Sequence, residues 1–275
     1  MEDVLRAVAL GIVQGLTEFL PISSSGHLIV TRELFGWDFA DDLTFDVALH
    51  LGTTVALITF FWREWALMVR AGLGWTANGG REPQPDPVYN ARLLALLLVG
   101  SIPTAIVGLI FDLALKDEVR SEFVVAAMLV TFAAVLFAAE TMGSRHRSIE
   151  SCLWRDAIVI GAAQAISLVP GVSRAGVTIT AALAVGFNRT DAARFSFLLA
   201  TPIILGAGLL QGVEAAVQGI DGEDAAAIVV GAAAAAIVGW LAIRYLLRLV
   251  QSGTYMPFVV YRVGLGVFLL VYFAV

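Results

Sequence analysis

The chain has 275 residues, 59% of them hydrophobic and only 15% charged, with a formal net charge of −6. A soluble domain carries about 25% charged residues, so a water-soluble globule is excluded, and the absence of any basic run excludes nucleic acid as a partner. One cysteine, Cys152, rules out an internal disulfide or a cysteine-based metal cluster.

In chain order, the first apolar stretch (4–31) lacks a basic start and a small-residue cleavage site, so it reads as a membrane segment and not a removable leader. It is interrupted by Gln14-Gly15-Leu16-Thr17-Glu18-Phe19-Leu20-Pro21-Ile22-Ser23-Ser24-Ser25-Gly26-His27. Full spans are predicted at 43–62, 93–111 and 123–141, each near the roughly 20 residues needed to cross a bilayer. The Gly/Pro-rich stretch 72–92 reads as a polar connection over one membrane face. A second apolar stretch (156–187) is interrupted by Pro170-Gly171-Val172-Ser173-Arg174-Ala175-Gly176-Val177-Thr178. Spans at 192–213, 225–247 and 257–275 complete the chain.

The distribution of arginine orients these elements. Loop 142–155, with Arg145, Arg147 and Arg155, is placed in the cytoplasm. With it go 63–92 and 248–256, and Arg63, Arg70, Arg81, Arg92, Arg189, Arg244 and Arg248 at loops or helix ends. Loops 32–42, 112–122 and 214–224 are then external and carry acids: Glu33, Asp38, Asp41, Asp42, Asp112, Asp117, Glu118, Glu122, Glu214, Asp221, Glu223 and Asp224. The expected fold is an all-α polytopic membrane protein, one membrane domain over 1–275. It is built as an inverted repeat, with halves about 1–141 and 156–275. Each half is a re-entrant broken-helix hairpin followed by three transmembrane helices. Gln14, Ser23 and Phe45 have counterparts in Gln164, Ser173 and Phe195 at one common offset. Inverted repeats with broken helices meeting near the midplane suit anionic substrates.

Both interruptions place ionisable and hydroxyl groups at membrane depth, where they are costly and mark function. In the second, Gly171 and Gly176 permit a tight turn, and freed N–H groups can form an anion nest. Ser173 and Thr178 add hydroxyls, and Arg174 adds a planar, permanently charged fork for phosphate oxygens. In the first, Gln14 and Glu18 share a helix face, Pro21 breaks the helix, and the serine run returns His27 toward Glu18. A carboxylate, hydroxyls and an imidazole facing an arginine are a parts list for phosphoryl transfer. A structural Arg174–Glu18 ion pair and a capping or core role for His27 are the plainer readings of the same residues.

These motifs, their order and their spacing resemble the undecaprenyl-diphosphate phosphatase family, the bacitracin-resistance type, over essentially the whole chain. The family's Glu/Gln-x-x-x-Glu, Phe-Leu-Pro, Ser/Thr run and Gly-His are matched by Gln14, Glu18, Phe19-Leu20-Pro21, Ser23-Ser24-Ser25 and Gly26-His27. Its Pro-Gly-x-Ser-Arg with a following Thr is matched by Pro170-Gly171-Val172-Ser173-Arg174 and Thr178. The resemblance implies removal of the terminal phosphate of a polyprenyl diphosphate, recycling a carrier lipid of cell-envelope synthesis. It implies a Mg²⁺ or Ca²⁺ cofactor with Glu18 as ligand, and a plasma-membrane site facing outward. It also implies catalytic Glu18, Ser24, His27 and Arg174, with Gln14, Ser25, Gly171, Ser173 and Thr178 binding substrate. Two departures stand out: Gln14 replaces a common Glu and cannot be a charged metal ligand, and Ala175 replaces a common Ser. The residues are compatible with a phosphohistidine at His27, but favour Ser24 as nucleophile with His27 as acid/base.

Four further readings complete the set. Asp46 is placed to brace Arg174 or a metal, or to reach the outer interface as a helix-end charge; His50 is placed to bond a neighbouring helix. Glu140 is placed at the cytoplasmic surface, and the small residues Gly231, Ala232–Ala236 and Gly239 allow close helix approach, including contact with a second copy in a homodimer. The alternative to hydrolysis is a transporter of a polyprenyl phosphate built on the same repeat.

Overall fold

A computed structural model describes residues 2–37, 42–77, 79, 86–114, 121–218 and 225–274. Arg81, Asp38, Asp41, Asp117, Glu118, Asp221, Glu223 and Asp224, and the side chains of Asp42, Asp112 and Glu214, lie outside the described residues. The elements are α1 (Glu2–Phe19), α2 (Ser24–Phe35), α3 (Asp42–Phe60), α4 (Trp62–Ala77), α5 (Ala91–Ala114), α6 (Glu122–Met142), α7 (Trp154–Ala165), α8 (Arg174–Ala184), α9 (Arg189–Gln218), α10 (Ala225–Ser252) and α11 (Met256–Tyr272). Among the described residues there is no strand, only an isolated bridge between Arg147 and Phe187. The protein is an all-helical polytopic membrane protein.

Both interrupted stretches are broken helices. α1 stops before Pro21, and α7 runs through a short 3₁₀ turn, Ile166–Leu168, to Pro170. Proline removes a donor and clashes with the preceding turn, so neither helix continues. α5, α6, α9 and α10 are long and apolar enough to span, whereas α11 is shorter. The segment 63–92, read as a cytoplasmic connection, begins as helix α4, bent 73° from α3 and reaching Ala77 inside the expected polar stretch 72–92. Fully buried Phe61 pins that corner, its N–H donating to the Leu57 carbonyl and its carbonyl accepting from Trp65 N–H. Exposed Trp62 and Trp75, with Arg63 lying over the Trp62 ring, give α4 the composition of an interfacial helix.

Packing in the two halves follows one plan. α1 lies against α10 so closely that a Cβ on Gly11 would come 2.4 Å from the Gly231 carbonyl oxygen. α7 lies against α5 likewise, and a Cβ on Gly161 would collide with the Gly100 carbonyl oxygen. A Cβ on Gly52 of α3 would likewise collide with the Ala232 carbonyl oxygen. Gly231, Ala232 and Gly239 of α10 are therefore packed against α1 and α3 within the chain. Lipid gives helices no hydrophobic reason to associate, so such close backbone contact carries much of the packing energy. Gly161→Ala is expected to destabilise the protein by about 2–3 kcal/mol, because the clash is with backbone. Gly108→Ala, with nothing within 4 Å, is expected to melt like the wild type in the same detergent.

The segments read as cytoplasmic meet at one end. Arg92 donates to the Cys152 carbonyl. Arg147 donates to Asp156 at 2.5 Å and Arg194 to the Tyr89 hydroxyl at 2.7 Å. Glu140 is not a surface charge: it is 2% exposed and takes two hydrogen bonds from Arg189, whose carbonyl accepts from the Tyr255 hydroxyl. Burial, helped by the neighbouring Asp156, pushes the Cys152 thiol up to about 12, so it is protonated and inert at neutral pH.

Candidate active site

The two breaks converge, and each restarts its helix in the same way. Ser23 and Ser173 are the N-caps of α2 and α8, at φ 76° and 73°. Positive φ at a non-glycine residue is strained and persists only where the surroundings enforce it. Their hydroxyls accept from Gly26 N–H (3.4 Å) and Gly176 N–H (3.0 Å). The first-turn N–H groups of Ser24, Ser25, Arg174 and Ala175 have no helical acceptor. Two helix N-termini thus start within one polar cluster, an arrangement that favours an anion.

Glu18, at the end of α1, is the hub. Its Oε2 accepts from Ser24 Oγ at 2.5 Å and from Gln14 Nε2 at 3.0 Å, and its Oε1 accepts from Arg174 Nη1 at 3.0 Å. The Glu18 side chain is 4% exposed and that of Arg174 is 25%, so the pair is screened from bulk water but reachable from one side. His50 Nε2 stands 3.7 Å from Glu18 Oε2, while His50 Nδ1 meets the Asp46 carbonyl of its own helix at 2.8 Å. Asp46 does not brace Arg174; it pairs with both Nη atoms of Arg32 (3.1 and 2.7 Å).

His27 is held by two contacts. Nδ1 lies 2.6 Å from the Ser23 carbonyl and Nε2 lies 2.7 Å from the Tyr261 hydroxyl. A carbonyl only accepts, so Nδ1 carries the proton and Nε2 accepts from Tyr261 in the neutral ring. Ser24 therefore bonds Glu18 rather than His27.

The supporting residues divide. Ser25 Oγ is 3.4 Å from Ser23 Oγ. Gly171, at φ 92°, lies so near α6 that a Cβ would be 2.5 Å from the Val125 carbonyl oxygen. The Thr178 hydroxyl donates to the Arg174 carbonyl (2.7 Å) and meets Ser196 Oγ at 2.5 Å, bracing α8 on α9. Gln14 is fully buried with Oε1 lacking any partner.

The sequence reading passed over two residues, Tyr261 and Arg262, inside an otherwise apolar span. Arg262 is fully buried and donates to backbone carbonyls of both breaks. The signal was available, since a charged residue in a span is by default functional.

A divalent cation has no ready cage, since no group of three His, Cys, Asp or Glu side chains is suitably placed among the described residues. Gln14 turns its Nε2, not its Oε1, to Glu18; with the amide plane reversed, Gln14 Oε1 and Glu18 would offer two oxygens on one helix face, which fits a cation that completes its shell with phosphate oxygens.

Residues 7–268 match the family described as bacitracin resistance protein BacA. An undecaprenyl-diphosphatase of Geotalea daltonii is 44% identical over 271 residues, 98% of each chain. Those of Trichlorobacter lovleyi (42%, covering 96% of this chain and 95% of the relative) and Thermomicrobium roseum (43%, covering 98% and 97%) are similar over the same extent. With a matched region that includes both breaks and every residue of the cluster, the chain belongs to the BacA family of bacitracin resistance proteins.

Proposed function

We propose that this protein hydrolyses the terminal phosphate of a polyprenyl diphosphate, the undecaprenyl class named for its relatives, and leaves the monophosphate carrier lipid. The observation that carries this reading is the Ser24 hydroxyl 2.5 Å from a buried carboxylate whose other oxygen holds Arg174. A transporter would need Arg174 to hold phosphate, but has no use for a hydroxyl aimed at a base.

In the resting site Glu18 occupies Arg174. An arriving diphosphate takes over Arg174 and the free N–H groups of Ser24, Ser25, Arg174 and Ala175, which leaves Glu18 to accept a proton. Ser24 Oγ, passing its proton to Glu18, attacks the terminal phosphorus in line. The bond to the bridging oxygen breaks and the polyprenyl monophosphate departs, with His27 Nε2 as the nitrogen able to exchange a proton there. The departing monophosphate carries off the proton that Glu18 took. Water then cleaves the seryl phosphate, giving a proton to the freed Glu18 carboxylate, which returns it to Ser24 Oγ as the serine P–O bond breaks. The positive groups offset charge on the equatorial oxygens, which is the main work of phosphoryl transfer. Glu18, with the Gln14 amide reversed to present Oε1, would hold a Mg²⁺ or Ca²⁺ ion brought with the substrate, which would neutralise part of the diphosphate charge. The site's mouth opens to the outer face, a reading supported by the arginine-rich segments gathered at the opposite end.

Detergent-purified protein given a polyprenyl diphosphate is expected to release inorganic phosphate and the lipid monophosphate in equal amounts, and a chelator to suppress the release. Tight lipid binding with no phosphate released would replace hydrolysis with transport.

A further inference from the structure

Arg262 of α11 stands apart from the reacting cluster yet is 0% exposed. Its Nε donates to the Leu129 carbonyl (3.2 Å) and its Nη1 to the Pro21 carbonyl (3.1 Å). Its Nη2 is shared among the carbonyls of Met128 (3.3 Å), Gly171 (3.0 Å) and Val172 (3.0 Å). Every acceptor is a neutral backbone oxygen. A buried cation with only carbonyl partners is costly, and membrane interiors admit such groups only where they answer a specific need.

The need is visible in what it holds. Breaking a helix inside a membrane frees carbonyls that water cannot reach. Those of Pro21 and of Gly171 and Val172 lie one or two residues before the strained caps Ser23 and Ser173. By drawing three peptide planes from two breaks onto one guanidinium, Arg262 fixes the direction in which each chain enters its cap. It thereby fixes the separation of Ser24, carried by the first break, from Arg174, carried by the second. The next residue back, Tyr261, bonds His27, so one turn of α11 backs both halves of the site.

We infer that Arg262 is a positioning residue that locks the two breaks in register, acting through backbone carbonyls and not through substrate; the catalytic part of this inference rests on the function proposed above. Lysine keeps the charge but has one nitrogen where arginine has a rigid fork, so it cannot span both breaks.

The test compares wild type, Arg262→Lys and Gly176→Ala in one detergent, by amide hydrogen exchange and by steady-state phosphate release from a polyprenyl diphosphate. In Arg262→Lys, exchange in segments 20–27 and 169–176 is expected to rise together. Misplacement of reacting groups by about 1 Å lowers turnover about 100-fold; kcat is expected to fall by that order while KM changes little. Gly176→Ala is the gentler variant and carries the test if the lysine protein does not fold. Its Cβ would meet Arg262 Nη1 at 2.9 Å and the Ser173 side chain at 3.0 Å. The contact displaces the tip of a long side chain, and the same loosening of both segments is expected with a smaller loss of kcat. Wild-type exchange at the breaks, faster exchange at only one of them, or joint loosening with unchanged kcat would each overturn the inference. Joint loosening in a protein that releases no phosphate even as wild type would leave the structural lock standing and remove the proposed hydrolysis instead.

Discussion

Ser24→Ala protein is expected to fold, to retain lipid diphosphate binding, and to release phosphate at least about 10³-fold more slowly than wild type. The reason is local. Ser24 Oγ is the hydroxyl in contact with Glu18, and alanine leaves the carboxylate its bonds from Gln14 and Arg174. The fold should barely respond, since alanine suits the first turn of a helix. Ser167→Ala is the comparison: that hydroxyl caps the Gln164 carbonyl in the other break and touches none of the reacting groups, so its loss should leave kcat nearly unchanged. Equal rates for Ser24→Ala and wild type would exclude Ser24 as nucleophile and point to His27 Nε2, with a phosphohistidine detectable by its acid lability.

Arg174→Ala is expected to do harm twice, to turnover and to stability. Turnover should fall about 10²–10³-fold or more, as when a preorganised charge-stabilising donor is removed. Stability should fall because Glu18, with a side chain 4% exposed, keeps a negative charge with no cation on Oε1. Breaking a buried pair from one side costs about 3–5 kcal/mol; the low end applies, because a quarter of the Arg174 side chain remains accessible. The two effects separate in the double variant Glu18→Gln/Arg174→Gln. With both charges gone, the melting temperature should return toward wild type while activity stays absent. If the double variant melts no higher than Arg174→Ala, the buried charge is not the source of the instability.

What was legible in the sequence follows from how membranes punish polarity. Prolines, glycines, serines and charges inside apolar stretches stand out, so both breaks and Gln14, Glu18, His27 and Arg174 could be found by inspection, whereas only the family resemblance singled out Ser24 among the three serines. Geometry was not legible. Spacing put His27 near Glu18, but the folded chain turns its ring to Ser23 and Tyr261 and gives Ser24 to the carboxylate. Asp46 and Arg32 find each other only because α2 returns beside α3. Arg262 lay in plain view, but a single arginine among Phe, Val and Leu reads as a span end until its carbonyl partners are seen. The α3–α4 corner depends on a buried phenylalanine, which no local pattern distinguishes from any other apolar residue.

The matched breaks have a consequence for symmetry. Counted from the caps Ser23 and Ser173, Ser24 and Arg174 occupy the same place, the first residue of the helix that follows. Two identical half-length chains paired about a twofold axis would present two hydroxyls there, or two guanidiniums, and never one facing the other. One polypeptide carrying both breaks is under no such constraint. On the function proposed above, that is what lets one break carry the attacking hydroxyl and the other the charge that faces it.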